Sequence, residues 1–241
     1  MLKYWLRGLR TLRGSTSLSD VPEWQRRIIG KVLPYSMTGE SRILATVTAV
    51  EYIVEHNIPG AIVECGVWRG GQMMAAALTL NHLQARRPLF LFDTFEGMTA
   101  PNEVDRDMEG QAAQSTFVEM SRNAVGKRWC EARLDEVQRN LASTGYPPDQ
   151  VHYIVGAVEQ TLPSSAPEVI AYLRLDTDWY ASTLHELQHL FPLVSRLGVV
   201  TIDDYGHWEG ARKATDEYLI AHGISALLHR IDYSGRQFIK P

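Results

Sequence analysis

Two hydrophobic rhythms divide the chain near residue 60. Before that point apolar residues recur at helical spacing, as with Ile43, Val47, Val50 and Val54. Residues 22–33 and 40–57 therefore read as helices, with a break at 34–39. Beyond it, short apolar runs alternate with helical stretches. The runs at 61–65, 89–93, 152–155, 170–176, 198–203, 227–232 and 237–239 predict strands. Helices are predicted between them near 71–83, 130–143, 180–190 and 210–221. Continuous apolar strands alternating with helices predict an α/β fold, a doubly wound sheet with mostly parallel strands. Only a short turn at 233–236 separates the last two strands, so these should form an antiparallel hairpin. The expected organisation is a helical extension or cap at 1–58 and an α/β domain at 59–241.

The first residues follow another pattern. Leu2, Trp5, Leu6, Leu9 and Leu12 share one helical stripe, with Lys3, Arg7, Arg10 and Arg13 elsewhere. Arg7 and Arg10 interrupt any signal-peptide core. This basic amphipathic helix either lies on a membrane surface or packs on its own domain or a second subunit. A polar linker, 15–20, follows.

Composition narrows the class. With 241 residues, 45% of them hydrophobic, the chain can bury a full core. A net charge of -4 argues against nucleic acid as a partner, which needs a concentrated Lys/Arg surface. Cys65 and Cys130 supply neither a disulfide framework nor a C-x-x-C pair, which suits a reducing cytoplasm. No run approaches the ~20 apolar residues of a transmembrane segment.

The chemistry gathers at strand ends. Asp93, Asp176 and Asp203 close three predicted strands, Asp204 follows directly, and Glu64 lies next to the end of the first. In an open α/β sheet the carboxyl ends line the ligand crevice. Acids collected there repel one another unless a cation or ligand hydroxyls engage them. The turn Glu64-Cys65-Gly66-Val67-Trp68-Arg69-Gly70-Gly71 lacks the G-x-G-x-x-G spacing of a pyrophosphate site. It better suits a ligand without phosphate that needs close backbone approach and an acid for an amino group, such as S-adenosylmethionine. Asp93 is placed to accept ribose hydroxyls. Asp176 and Asp178, with Asp203 and Asp204, make a hard oxygen site for Mg²⁺ or Ca²⁺.

Two patterns compete for attention. His185-Glu186-Leu187-Gln188-His189 matches H-E-x-x-H, a zinc signature on a helix. Its metzincin extension is missing, because Pro192 and Ser195 stand where Gly and His are required. The apolar stripe Tyr180, Leu184, Leu187 and Phe191 also places both histidines off the buried face. Asp176-Thr177-Asp178 also fits the D-x-D of a nucleotide-sugar glycosyltransferase, a reading that leaves Glu64, Asp93 and Asp203 without roles. A nucleotide-binding partner subunit is the non-enzymatic alternative.

Five segments together resemble the macrocin O-methyltransferase family: Pro34-Tyr35-Ser36-Met37, Val63-Glu64-Cys65-Gly66-Val67, Phe92-Asp93-Thr94-Phe95-Glu96-Gly97-Met98, Leu175-Asp176-Thr177-Asp178-Trp179-Tyr180 and Ile202-Asp203-Asp204-Tyr205-Gly206. The resemblance runs from about Tyr35 to the C-terminus. It implies a class I methyltransferase fold, S-adenosylmethionine as donor, Mg²⁺, and methylation of a hydroxyl on a sugar or glycosylated natural product. A catechol-like diol would satisfy the same metal geometry. By position it implies Asp176, Asp203 and Asp204 as metal ligands and Asp178 as base. Glu64, Gly66, Asp93, Thr94, Gly156 and Ala157 fall at the donor, with Tyr35 and Met37 in the segment that closes over it. It also implies a homo-oligomer. The polar stretch 99–110 reads as a lid over the acceptor, or as an ordinary solvated loop. Trp68, Phe95, Trp179, Tyr205 and Trp208 suit stacking on a sugar or aglycone, and equally core packing.

Overall fold

The computed structural model describes residues 18–123 and 128–241. The amphipathic stripe expected in Met1–Gly14 lies outside them. Among the described residues, parallel strands β1 (Ala61–Cys65), β2 (Leu89–Asp93), β3 (Val151–Val155), β4 (Ile170–Leu175) and β5 (Val194–Ile202) join an antiparallel pair, β6 (His229–Arg230) and β7 (Arg236–Ile239). The strand order is β3-β2-β1-β4-β5-β7-β6. Winding outward from the centre in both directions leaves a switch point between β1 and β4, where a crevice opens at the carboxyl ends.

Alternation along the strands builds two cores. Ile62, Leu89, Leu91 and Tyr172 face the side covered by α1 (Glu23–Val32), α2 (Glu40–Glu55), α3 (Gly71–His82) and α5 (Leu134–Ala142). Val63, Cys65, Leu173, Leu175 and Val200 face α6 (Val158–Thr161), α7 (Tyr180–Leu190) and α8 (Glu209–Ala221). Burial on both faces is why these strands read as unbroken apolar runs. The helices of 23–55 share the first core, through Ile28, Ile43 and Val47 packed with Ile62 and Met73. Small residues Ala75, Ala76 and Ala77 let α3 sit against both the sheet and α2.

Local chemistry moved some boundaries. The strand expected at 227–232 shrinks to His229–Arg230. There the Asp232 carboxylate accepts the N–H groups of Ser234 and Gly235, starting the hairpin turn early. A helix α4 (Ala113–Asn123) occupies a stretch with no predicted element. The helix expected from 130 begins at Leu134, because Cys130 takes a positive φ of 56°.

Gly66 shows how tightly the crevice is made. Its φ is +81°, and a Cβ there would lie 1.9 Å from the Asp176 carbonyl oxygen. Gly66→Ala should therefore destabilise the protein by at least about 2 kcal/mol, combining left-handed strain with a backbone clash. Urea unfolding checks this; a change under about 0.5 kcal/mol would show that the β1 and β4 ends need not meet so closely.

Candidate active site

The strand ends gather the expected acids around a cation that sequence reasoning passed over. Arg174, the second-to-last residue of β4, is 2% exposed. Its Nη1 donates to Glu64 Oε1 at 2.7 Å and to Asp176 Oδ2 at 2.5 Å, and its Nη2 donates to Asp203 Oδ1. Arg42, in the first turn of α2, donates from Nη1 to the other Asp203 oxygen and from Nε to Asp232 at 2.8 Å. The acids were expected to repel without a bound cation; part of that repulsion is cancelled by these two guanidiniums. A charged residue inside the run Leu173-Arg174-Leu175 was the available signal for one of them. Nothing in the sequence singled out Arg42.

Beyond the arginines lies a second layer. Asp176, Asp178 and Asp204 bring one carboxylate oxygen each within 4.8 Å of one another. Asp203 is not in this trio, and both its oxygens accept from arginine. Burial and neighbouring acids push the Asp176 carboxyl up to about 6 and Asp178 up to about 7. Asp204 is held well above the ordinary range by burial and by Asp178 and Asp203. Among the described residues its buried Oδ2 has no hydrogen-bond partner. Asp178 also has a φ of 68°, an uncommon conformation for a non-glycine residue. Crowded, undercompensated hard oxygen donors with an orphaned buried atom fit a divalent cation.

The other side of the crevice is built around the β1–α3 turn. Asp93 Oδ2 accepts from the N–H groups of Val67 and Trp68 at 2.7 and 3.0 Å, and Oδ1 accepts from Phe95 N–H at 2.7 Å. Asp93 thus ties the turns after β1 and β2 together. Thr94 Oγ1 donates to the Gly97 carbonyl, and the Gly156 N–H, just before Ala157 at the start of α6, donates to the Asp93 carbonyl. Glu64 is buried; desolvation raises its carboxyl to about 8 against the pull of Arg174, and its Oε2 has no partner. No side chain caps the N-terminus of α3. A Cβ on Gly71 would lie 2.6 Å from the Tyr35 carbonyl oxygen, so the Tyr35–Met37 backbone lies across that helix end. Arg69 holds this segment, donating to the Pro34 carbonyl and to Glu136 with its guanidinium 5.2 Å from the Tyr35 ring centroid. Met37 is exposed, and its sulfur is 4.0 Å from Cys130 Sγ.

The loop at 99–112 is anchored. Buried Asp105 accepts from the N–H groups of Tyr180 and Asn102, Trp179 Nε1 donates to the Thr99 carbonyl, and Asp107 bridges Trp208. Trp179 and Trp208 are buried beneath it with ring centroids 5.0 Å apart, and Phe95 is buried as well, so these aromatics pack the interior. Trp68 and Tyr205 keep partial exposure. A surface hollow lined by Arg87, Phe90 and Val169 lies at the opposite strand ends and holds none of the expected site residues.

The H-E-x-x-H segment has no catalytic geometry. Glu186 is fully buried: Thr177 Oγ1 donates to it at 2.9 Å, and Cys65 is a neighbour. The His185 and His189 rings meet edge to face.

A sheet with these crossovers, its last strand pair antiparallel and its acids at the carboxyl edge, defines a class I methyltransferase fold. Residues 19–240 match the family model described as Macrocin-O-methyltransferase (TylF), and the chain belongs to that family. It is similar to the 8-demethyl-8-(2,3-dimethoxy-alpha-L-rhamnosyl)-tetracenomycin-C 4'-O-methyltransferase of Streptomyces olivaceus, 34% identical over 89% of this chain and 80% of the relative. Mycinamicin III 3''-O-methyltransferase of Micromonospora griseorubida is 33% identical over 83% of this chain and 76% of its own. The solved O-methyltransferase NovP superposes with a TM-score of 0.74 at 31% identity, covering 86% of this chain and 82% of that one. The protein is an O-methyltransferase, which sets aside the glycosyltransferase and partner-subunit readings. Among the described residues no helix is long and apolar enough to cross a membrane.

Burial pushes the Glu186 carboxyl well above its ordinary pKa, which favours the protonated form in the folded state. Its stabilisation is complete below the unfolded pKa of about 4.3 and is lost as pH rises toward the folded value. Glu186→Gln removes this proton, so its stability relative to wild type should improve with pH by about 1.4 kcal/mol per unit over that window. Urea midpoints at acidic and neutral pH test this; parallel behaviour of the two proteins would show that Glu186 is charged in the fold.

Proposed function

We propose that this O-methyltransferase moves a methyl group from S-adenosylmethionine to a sugar hydroxyl of a glycosylated natural product, with a divalent cation, Mg²⁺, at the acid cluster. The observation that carries the reading is the cluster itself, with Asp204 Oδ2 orphaned beside Asp176 and Asp178. The names of the relatives above support the acceptor class.

The residues divide the work. The uncapped N-terminus of α3 offers its N–H groups to the donor's carboxylate, and Glu64 offers its unpartnered Oε2 as an acceptor for the amino group. Asp93 with Thr94 shapes the neighbouring turn, Gly156 and Ala157 border it, and the Tyr35–Met37 segment covers it. Asp176, Asp203 and Asp204 would hold the cation; each carboxylate oxygen has more than one lone pair, so an arginine bond to Asp203 leaves it able to ligate. A cation bound there lowers the pKa of an acceptor hydroxyl. Asp178 accepts the hydroxyl proton, and its carboxyl near 7 is well matched to that task. The remaining contribution of the chain is alignment of the two substrates. Assembly as a homo-oligomer belongs to the same proposal and is read by light scattering.

Calorimetry with S-adenosylhomocysteine and Mg²⁺, followed by turnover on a rhamnosylated aglycone and on catechol, tests the reading. Asp176→Asn, Asp203→Asn and Asp204→Asn should weaken Mg²⁺ binding, with activity partly restored by excess Mg²⁺. Asp178→Asn should keep Mg²⁺ and S-adenosylhomocysteine binding while turnover falls roughly 10²–10⁴-fold. Loss of Mg²⁺ affinity in Asp178→Asn, with none in Asp203→Asn, would instead make the geometric trio the ligand set. Failure of wild type to bind S-adenosylhomocysteine would overturn the donor assignment.

A further inference from the structure

Asp203 differs from its neighbours in having both oxygens held by cations of the chain. The two cations differ in freedom. Arg174 is enclosed within β4 and committed to Glu64 and Asp176 as well. Arg42 reaches Asp203 from the start of α2, on a long side chain, and has two further footholds at the same place. Its Nε already donates to Asp232, and its guanidinium lies 5.9 Å from the ring centroid of Tyr233, which is itself partly exposed. Release from Asp203 would therefore leave Arg42 paired and stacked.

Burying this many carboxylates without counter-charge costs more than the fold can absorb, and guanidinium bonds offset that cost. A divalent cation arriving at Asp176 and Asp204 supplies the same charge and meets Arg42 as a rival for Asp203. We infer that Arg42 is a tethered counter-ion: it neutralises Asp203 while the cluster lacks a divalent cation and yields that carboxylate oxygen when one enters, remaining on Asp232 and the Tyr233 face. Arg42 is thus a positioning residue that sets the affinity and selectivity of the cluster for cations. The inference rests on the proposed cation site.

Mg²⁺ titration by calorimetry at fixed pH, with S-adenosylhomocysteine present, distinguishes the two. Arg42→Gln removes the rival charge and should bind Mg²⁺ about tenfold tighter than wild type, since a unit charge at this range acts strongly on a dication. Its melting temperature without Mg²⁺ should fall below that of wild type and recover more when Mg²⁺ is added. Arg42→Lys keeps the charge without the fork and should lie between the two; it also decides the matter if the Gln variant does not fold. A tighter site is a gain that a merely structural arginine would not produce. Affinity equal to or below wild type in the folded variants overturns the tether while leaving the cation site standing. Absence of Mg²⁺ binding in wild type overturns both.

Discussion

Arg174 projects from the carboxyl-terminal end of β4 into a space closed to solvent, where its guanidinium is shared by acids at the ends of β1, β4 and β5. That sharing makes the rest of the carboxyl edge possible. Parallel strands in this order necessarily bring their ends together, and the chain has placed an acid at nearly every one. Without an internal cation the carboxylates would be forced to protonate or to push the strand ends apart. With it, Glu64 near the end of β1, Asp176 after β4 and Asp203 after β5 are bonded to one rigid planar group. The two halves of the crevice are held in fixed relation by a single side chain.

Compensation is deliberately incomplete in one direction. The inner acids are paired, while Asp176, Asp178 and Asp204 crowd together facing the crevice with raised pKa values. Asp204 Oδ2 has no partner, and Asp178 sits in a left-handed backbone conformation. Strain and missing partners gathered at the crevice are characteristic of a place where a ligand belongs.

Much of this was legible in the chain. Apolar runs ending in Asp93, Asp176 and Asp203 gave the strands, and the switch-point rule then placed those acids in one crevice. What was not legible depends on contacts between residues far apart in sequence. Arg42 and Asp203 meet across α2 and β5, and nothing near either residue announces the other. Asp105 looked like one more polar residue in a long loop, yet it is buried and accepts the first N–H of α7, fixing the loop over the tryptophans. The aromatic residues near the crevice were ambiguous because stacking on a ligand and packing under a loop require the same side chains; burial resolves Trp179 and Trp208 as packing.

The H-E-x-x-H segment illustrates why spacing alone is weak evidence. On α7 the i and i+4 histidines do share a face, as a zinc site requires. The intervening glutamate, however, points inward, where Thr177 and the Cys65 thiol surround it. A general base must reach a solvent-accessible proton, and a carboxyl locked in the core cannot. The same helix begins immediately after Asp178, and Thr177, the residue between two crevice acids, donates its hydroxyl to Glu186. The buried glutamate therefore helps set the path of the Asp176–Asp178 turn from below, so its structural role bears directly on the geometry of the acids above it.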